Sequence, residues 1–181
     1  PPKVGGMPAV ATGFARALTA HCECVAATRE GDHEYSEPYP VHQILTMRVD
    51  EDMPRLLQLN ADAWLFLNSG YAPLAKLIPG PCFFYCHGND FLNPWCRTRQ
   101  LSNVGRHFST NWVIRKTSGA YRLFQAWRQM REGFECARGI FANSRPTAER
   151  LASKFRIDPS RIRVVHPGVD DCFFQHREPI D

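Results

Sequence analysis

Polar side chains that can bind or polarise a substrate follow a short apolar run near the middle of the chain. The run covers residues 81–86, Pro-Cys-Phe-Phe-Tyr-Cys, and leads into His87, Gly88, Asn89 and Asp90. Aromatic and cysteine side chains on both alternating faces predict a strand that is covered on both sides, as in parallel sheets. Ligands of such sheets bind beyond the carboxyl ends of the strands. His87 and Asp90 are therefore the first candidates for chemistry, and a capped turn is the alternative.

Two further apolar runs end in polar residues in the same way. Residues 63–67 are followed by Asn68-Ser-Gly-Tyr71, and residues 139–142 by Asn143-Ser144. Because the carboxyl ends of parallel strands meet at one edge of the sheet, we predict that Asn68, His87 and Asn143 lie at the same edge. Ser144 is also a suitable N-cap for the helix that follows it.

The elements that position these residues alternate between strand and helix. Strands are predicted at residues 23–27, 41–46, 63–68, 81–86, 139–143 and 162–166. Helices are predicted at residues 8–18, 50–60 (with Pro54 in the first turn), 72–77, 120–137 and from Ser144 to Phe155. A loop is predicted at residues 158–160. The alternation is typical of βαβ units and predicts an α/β fold with a parallel sheet.

A glycine turn opens the chain. Gly5 and Gly6 precede the first predicted helix, where they would let the backbone approach a phosphate, and Lys3 adds a positive charge. A plain turn is the alternative for the same residues. A phosphate-binding turn follows a strand, but only two prolines precede Lys3. The first strand of the fold is therefore predicted to be missing from this chain or to be supplied from elsewhere.

Composition is that of a globular domain. The chain has 181 residues, of which 44% are hydrophobic and 22% charged, with no run near the ~18 apolar residues of a membrane span and no signal-peptide core. Most of the seven cysteines lie in apolar runs, which predicts reduced thiols and a cytoplasmic location. A zinc site formed by Cys82, Cys86, His87 and Cys96 lacks paired C-x-x-C spacing, and no metal site is predicted.

The segment between Phe91 and Arg131 contains no Asp or Glu. Its basic residues are Arg97, Arg99, Arg106, Arg115, Lys116, Arg122, Arg128 and Arg131. Such a segment attracts anions, so an anionic membrane surface, an anionic acceptor and nucleic acid are all considered. The apolar residues Ala120, Leu123, Phe124, Trp127, Met130, Phe134 and Ala137 recur at helical spacing and predict a packed helix with a solvated basic face.

Taken together, these motifs resemble the N-terminal half of a family 4 glycosyltransferase with the GT-B fold, a group of retaining enzymes that use nucleotide sugars. The resemblance spans nearly the whole chain. It rests on Gly5-Gly6, on His87-Gly-Asn-Asp90, on Phe141-Ala-Asn-Ser144 and on the segment from Arg163 to Asp170. The turn at residues 3–7 also resembles the Lys-x-Gly-Gly-Leu turn of bacterial glycogen synthases.

The resemblance implies a Rossmann-like three-layer α/β/α sandwich with a mostly parallel sheet, formed by residues 1–181 as the acceptor-side domain. It implies that His87 and Asp90 serve catalysis, with His87 beside the transferred sugar and Asp90 in the crevice toward the acceptor. The implied contacts are Lys3, Gly5 and Gly6 to the donor diphosphate; Asn68, Tyr71, Asn143 and Ser144 to the acceptor; and Gly168 and Asp170 to the passage between domains.

The resemblance further implies that the partners are a nucleotide sugar, a sugar or lipid-linked acceptor and a C-terminal domain of the same protein, with no nucleic acid and no cofactor beyond the donor. No two glutamates of this chain have the Glu-x7-Glu spacing of the family's second domain. This chain alone is therefore expected to be inactive. The expected location is cytoplasmic, with attachment to the inner membrane face left open. The rival function is a stand-alone module that binds anions or nucleic acid through residues 91–131.

Overall fold

The strands of the structure, a computed structural model, are short and pair in parallel. Residues 6–29, 37–46, 49–92, 124 and 127–168 are described. The strands are β1 (Ala26–Arg29), β2 (Val41–Leu45), β3 (Trp64–Phe66), β4 (Cys82–Cys86), β5 (Gly139–Ala142) and β6 (Ile162–Val164). The helices are α1 (Gly6–Leu18), α2 (Val49–Leu57), α3 (Asn89–Leu92), α4 (residues 127–136) and α5 (Arg145–Phe155), with 3-10 helices at Ser69–Lys76 and Pro159–Arg161.

Within these ranges the strands form two parallel sheets. One sheet pairs β1 with β2, and the other has the order β3-β4-β5-β6. In the larger sheet Trp64 lies opposite Cys82, and Phe84 lies opposite Ile140. Parallel strands with flanking helices form an α/β, Rossmann-like arrangement, so the predicted fold class is confirmed. The parallel register also brings the carboxyl ends of β3, β4 and β5 to one edge, as predicted.

Helices cover both faces of the larger sheet. On one face, the ring of Phe84 meets Phe134 of α4 at 5.3 Å between centroids, and Phe134 meets Phe155 of α5 at 5.1 Å. On the other face, Tyr85 meets Phe14 of α1 at 4.7 Å. Successive side chains of a strand point to opposite faces, so α1 lies on one side and α4 and α5 on the other. Phe84, Phe134 and Phe155 are at most 1% exposed, and each such ring contributes about 2–3 kcal/mol through burial.

Gly133 lets α4 lie directly against the 3-10 helix at Ser69–Lys76. A Cβ atom at Gly133 would overlap the carbonyl oxygen of Ala72 and would lie 3.1 Å from the backbone nitrogen of Pro73. Ala72 is fully buried. Two backbones therefore touch at this point with no side chain between them.

Within the described residues the predicted elements are present, but several of their ends differ. β1 begins three residues later than predicted, at Ala26. α2 begins at Val49, so Pro54 lies inside the helix and not in its first turn. Pro54 removes one helical hydrogen bond. The burial of Leu56 and the hydrogen bonds that Asp52 accepts from Thr46 and Tyr71 offset that loss.

Polar caps explain two other differences. The helix predicted at residues 72–77 is a 3-10 helix that begins at Ser69, because the Asn68 side chain accepts a hydrogen bond from Gly70 N–H at 2.9 Å. The loop predicted at residues 158–160 contains a 3-10 turn, because Asp158 accepts from Ser160 N–H at 2.9 Å. Short polar side chains start such turns readily.

The basic segment is described only at its C-terminal end, where its charges are paired. Arg128 contacts Glu132 at 2.8 Å and Arg131 contacts Glu135 at 2.8 Å. The expectation of unopposed charge is wrong for these two arginines, because each has a glutamate one helical turn later in α4, just after the acid-free segment ends. Hydrogen bonds from Lys76 and then Arg128 lower the pKa of Glu132 to about 2. The other basic residues of the segment lie outside the described residues.

The apolar pattern of the same segment is confirmed in part. Met130, Phe134 and Ala137 are buried, whereas Phe124 is 57% exposed, so the expectation that Phe124 belongs to the core is wrong. Trp127 is half-buried and donates its indole N–H to the Lys154 carbonyl of α5 at 2.8 Å. No helix in the described part of the chain is long and apolar enough to cross a membrane.

Candidate functional site

The corner after β4 is held by the carboxylate of Asp90. Its Oδ1 accepts hydrogen bonds from the backbone N–H groups of His87 at 3.2 Å and Gly88 at 3.0 Å, and its Oδ2 accepts one from Ser69 at 3.1 Å. Asp90 is 9% exposed, so these charge-assisted bonds form largely away from water. The carboxylate therefore fixes the backbone beneath the His87 ring and joins the ends of β3 and β4.

Gly88 supplies the backbone conformation that this corner requires. Its φ is 101°, a region that residues with a side chain rarely adopt. A Cβ atom at this position would make only ordinary contact with Thr147 Oγ1 at 3.5 Å. The conformation, and not a lack of space, therefore requires glycine.

Removing the Asp90 carboxylate should destabilise the fold. An Asp90→Ala variant leaves backbone donors of His87, Gly88 and Ser69 without their acceptor, and we expect a loss of about 2 kcal/mol of unfolding free energy in urea denaturation. Asp158→Ala is the matched control, because it removes one cap bond at an exposed 3-10 turn and should cost clearly less. Equal losses in the two variants would contradict the structural role of Asp90.

Asn143 connects the ends of three strands. Its backbone N–H donates to the Cys86 carbonyl at 3.1 Å, and its side-chain Nδ2 donates to the His87 carbonyl at 3.3 Å. The Asn143 carbonyl accepts from Nδ1 of His166, beyond β6, at 3.1 Å, so this nitrogen of His166 carries the proton. The predicted proximity of His87 and Asn143 at one sheet edge is therefore confirmed.

The His87 ring lies partly inside the protein. It packs edge-to-face against Tyr85 with ring centroids 4.9 Å apart. Its Nε2 atom is buried and has no hydrogen-bond partner among the described residues. Burial lowers the pKa of His87 below the ordinary 6.5, and the neighbouring Asp90 carboxylate opposes this shift. The imidazole is therefore neutral at pH 7 and can bind an uncharged polar group.

The lowered pKa of His87 predicts both an NMR titration midpoint and the direction in which stability changes with pH. We expect the ring proton signals in an NMR titration to change with a midpoint below 6.5. The unfolded chain takes up this proton more readily than the folded chain, so the free energy of unfolding should fall as the pH drops below 6.5. Asp90→Asn should lower the pKa of His87 further, because it removes the charge that favours the imidazolium. A midpoint at or above 6.5 would contradict burial as the dominant cause.

Three uncharged polar atoms lie at the ends of neighbouring strands without hydrogen-bond partners among the described residues. They are Ser69 Oγ after β3, His87 Nε2 after β4 and Asn143 Oδ1 after β5. Buried polar atoms in folded proteins are almost always hydrogen-bonded, so such a group of atoms fits a ligand that brings its own donors and acceptors. The atoms carry no formal charge, and this favours a hydroxyl-rich ligand over an anion.

Ser144 and Asn68, two other predicted site residues, mainly cap the helices that follow them. Ser144 caps α5: its Oγ accepts from Thr147 N–H at 3.3 Å and donates to Thr147 Oγ1 at 2.9 Å. Asn68 caps the 3-10 helix through Gly70. Both lie at the predicted edge of the sheet. Their polar atoms determine where the helices begin, as was predicted for Ser144.

Tyr71 is directed into the interior. It is 6% exposed, and its hydroxyl donates to Oδ2 of Asp52 in α2 at 2.8 Å. The other oxygen of Asp52 accepts from the backbone N–H and the hydroxyl of Thr46, each at 2.7 Å. The structure therefore brings the Tyr71 hydroxyl to a buried network between α2 and the 3-10 helix, and not to the atoms of Ser69, His87 and Asn143.

The remaining predicted site residues lie near the ends of the described ranges. Lys3, Gly5 and Asp170 lie outside them. Gly6 is the first residue of α1, and Gly168 is exposed with no heavy atom within 4 Å of the position of a Cβ. Of the weighed zinc ligands, Cys82 and Cys86 are buried in the core and Cys96 lies outside the described residues.

Sequence reasoning missed two polar residues of the site. Ser69 is fully buried beside the carboxylate of Asp90, and His166 contacts Asn143. Ser69 lies in the strand-end motif at residues 68–71, whereas His166 was predicted as the last residue of a strand that ends at Val164 in the structure. The sequence signal that could have identified Ser69 is its position after a buried strand. It was missed because a serine within a turn motif is common and does not by itself indicate a site.

The fold is that of a Rossmann-like α/β domain with a candidate site at the carboxyl ends of its strands. A family model described as Glycosyltransferase Family 4 matches residues 4–172, nearly the whole chain. The chain belongs to this family and is a glycosyltransferase-type domain, whose substrates are a sugar donor and an acceptor. A comparison with curated proteins gave no match.

Proposed function

We propose that residues 1–181 form the N-terminal, acceptor-side domain of a retaining glycosyltransferase that uses a nucleotide-diphosphate sugar in glycan, glycolipid or polysaccharide biosynthesis. The observation that carries the proposal is the group of buried, unpartnered polar atoms on Ser69, His87 and Asn143. A sugar ring presents hydroxyl groups that donate and accept, which matches an uncharged set of this kind. The family membership supports the same reaction class.

In this proposal His87 contacts the transferred sugar directly. The neutral imidazole accepts a hydrogen bond at Nε2 from a sugar hydroxyl, or donates one there in the other tautomer. Asp90 acts on the sugar through His87, since its oxygens bind backbone N–H groups at the same corner. Asn143 and Ser69 face the acceptor side, and the caps formed by Asn68 and Ser144 hold the backbone there. Tyr71, which the sequence analysis named as an acceptor contact, supports this side of the site by holding the 3-10 helix against α2 through its hydrogen bond to Asp52.

The donor diphosphate is proposed to lie at the start of α1. Backbone N–H groups at Gly5 and Gly6 would stabilise the departing diphosphate, helped by Lys3 and by the positive end of the helix. Catalysis then consists mainly of positioning and of stabilising the charge of the leaving group. Gly168 and Asp170 are proposed to lie near the passage to a second domain, which would bring most of the nucleotide contacts.

The proposal requires a second domain that completes the active site. We expect residues 1–181 alone to show no sugar transfer and to bind a nucleotide diphosphate at about millimolar affinity or weaker. Radiolabelled nucleotide sugars would be tested with this chain and with a polypeptide that carries a second Rossmann-like domain after it. Transfer by the two-domain protein alone supports the proposal, and robust transfer by residues 1–181 alone contradicts it.

A cytoplasmic enzyme attached to the inner membrane face is the proposed setting. Arg128 and Arg131 are paired with glutamates, so any attraction to lipid comes from the other basic residues of the segment. Sedimentation with anionic and neutral vesicles at low salt tests this attachment. Equal binding to both kinds of vesicle would contradict it.

A further inference from the structure

Two cysteine side chains lie in contact in the short connection between α1 and β1. Cys22 and Cys24 are separated by one residue, and their Sγ atoms are 3.7 Å apart. Both thiols are free; Cys22 is exposed and Cys24 is partly buried. A disulfide has an S–S distance of about 2.05 Å, so the two sulfurs touch without a covalent bond. Neither side chain belongs to the hydrophobic core, in contrast to Cys82 and Cys86.

The separation of the two sulfurs is close to one edge of a tetrahedral metal site. Zinc binds cysteine sulfur at about 2.3 Å in such sites, so two of its sulfur ligands lie about 3.8 Å apart. The Sγ atoms of Cys22 and Cys24 have nearly this separation already. An ion can therefore bind both sulfurs with little movement of the chain, and preorganisation of this kind favours binding.

The C-terminal end of α1 places negative electrostatic potential beside the thiol pair. The helix ends at Leu18, whose carbonyl oxygen accepts from the Cys22 N–H at 3.0 Å and from the Cys22 thiol at 3.5 Å. These contacts hold Cys22 against the last helical turn. The carbonyl groups at a helix C-terminus attract cations. The position of the pair therefore favours a bound positive ion over two free thiolates.

We propose that Cys22 and Cys24 bind one thiophilic divalent cation of the zinc class, at two corners of a tetrahedron. Each thiol releases its proton to the solvent as its sulfur binds the ion. In the part of the chain that the structure describes, no group of three or more His, Cys, Asp or Glu side chains could hold a metal ion. Water therefore takes the two remaining positions. The inference does not rest on the proposed function, because the pair lies before β1 and not after β3, β4 or β5.

A site with two protein ligands is weaker than a structural zinc site with four. Burial and then the hydrogen bond with Cys22 raise the pKa of Cys24, so a proton competes with the ion for this sulfur. We expect a Kd of about micromolar at pH 7. The bound ion links the end of α1 to the chain that enters β1, so its binding should also raise the melting temperature.

The test uses Cd²⁺ as the probe, because its bonds to thiolate absorb ultraviolet light. Residues 1–181 are kept reduced with a phosphine and titrated with Cd²⁺, and we expect one equivalent per chain to produce the absorption. Cys22→Ser and Cys24→Ser should each weaken binding by about 100-fold or more, because the loss of one sulfur removes chelation. Cys136→Ser is the matched control, since Cys136 is an exposed thiol of α4, and the affinity should not change.

Cadmium binding that survives in either of the first two variants would overturn the proposal, and so would its loss in a folded Cys136→Ser chain. Alkylation of the unmodified protein gives a second measurement that needs no substitution. Zn²⁺ should slow the labelling of Cys22 and Cys24 by iodoacetamide by about tenfold or more and leave Cys136 unaffected. Equal labelling with and without Zn²⁺ would contradict the site. Half an ion per chain with a doubled molecular mass would show four sulfurs from two copies, which overturns the open site.

Discussion

Replacing His87 by alanine in a two-domain enzyme should lower kcat for sugar transfer by about 100-fold or more while the fold remains intact. The expectation rests on the buried Nε2 atom of His87, which has no partner among the described protein groups and is held in place by Tyr85 and Asp90. A positioned hydrogen-bonding group at a reacting centre is worth about 10²–10³ in rate. Loss of the edge-to-face contact with Tyr85 costs only about 1 kcal/mol, so the variant stays folded.

The control for this variant is His42→Ala. His42 is exposed on β2, in the sheet that does not carry the site, so this substitution should leave kcat within about twofold. Circular dichroism and urea denaturation of both variants separate activity from stability. Near-normal turnover in a folded His87→Ala enzyme would show that the active site lies elsewhere.

Gly133→Ala should be the most destabilising single-atom addition in the described part of the chain. The new Cβ would overlap the Ala72 carbonyl oxygen, so α4 must move away from the 3-10 helix that it contacts. Overpacking of this kind costs about 3 kcal/mol, which exceeds the ~1 kcal/mol that alanine gains over glycine inside a helix. The net loss of about 2 kcal/mol should lower the melting temperature in thermal unfolding by about 4–8 °C, at about 2–4 °C per kcal/mol for a domain of this size.

Gly13→Ala is the matched control for Gly133→Ala. Gly13 also lies inside a helix, α1, but a Cβ there would have no heavy atom within 4 Å. Helix propensity alone then predicts a stabilisation of up to ~1 kcal/mol. Opposite signs for the two substitutions would establish that the backbone contact, and not the helical position, causes the loss. A melting temperature of Gly133→Ala equal to that of the unmodified protein would show that the two backbones are not in contact.

The sequence predicted the fold well because burial on both faces leaves a clear pattern. Residues 81–86 are aromatic or sulfur-containing almost throughout, and they form a central strand of the larger sheet. The hydrophobic pattern was less informative where polar side chains determine where a helix or turn begins. Asn68 and Asp158 start 3-10 turns through side-chain hydrogen bonds, which hydrophobic periodicity does not report. The paired charges of α4 were missed because Glu132 and Glu135 follow the acid-free segment, each one helical turn after its arginine.

The candidate site was predictable in place but less so in detail. Parallel strands that end together bring Asn68, His87 and Asn143 to one edge, and the sequence alone contains that information. Which polar atoms remain available depends on three-dimensional contacts. The hydroxyl of Tyr71 reaches Asp52, nineteen positions earlier in the chain, and the carboxylate of Asp90 reaches Ser69 N–H. No spacing rule predicts contacts of this kind.

The bridge made by Asn143 also bears on the order in which the domain folds. β3 and β4 are close in sequence and can pair early, whereas β5 pairs with β4 only after the whole chain between Cys86 and Gly139 has closed into a loop. Closing a long loop is slow because its entropy is lost before its contacts form. The hydrogen bond from Asn143 to the His87 carbonyl spans that loop, so the site cannot be complete before the loop has closed. Formation of this hydrogen bond therefore indicates that β4 and β5, which are distant in sequence, have paired.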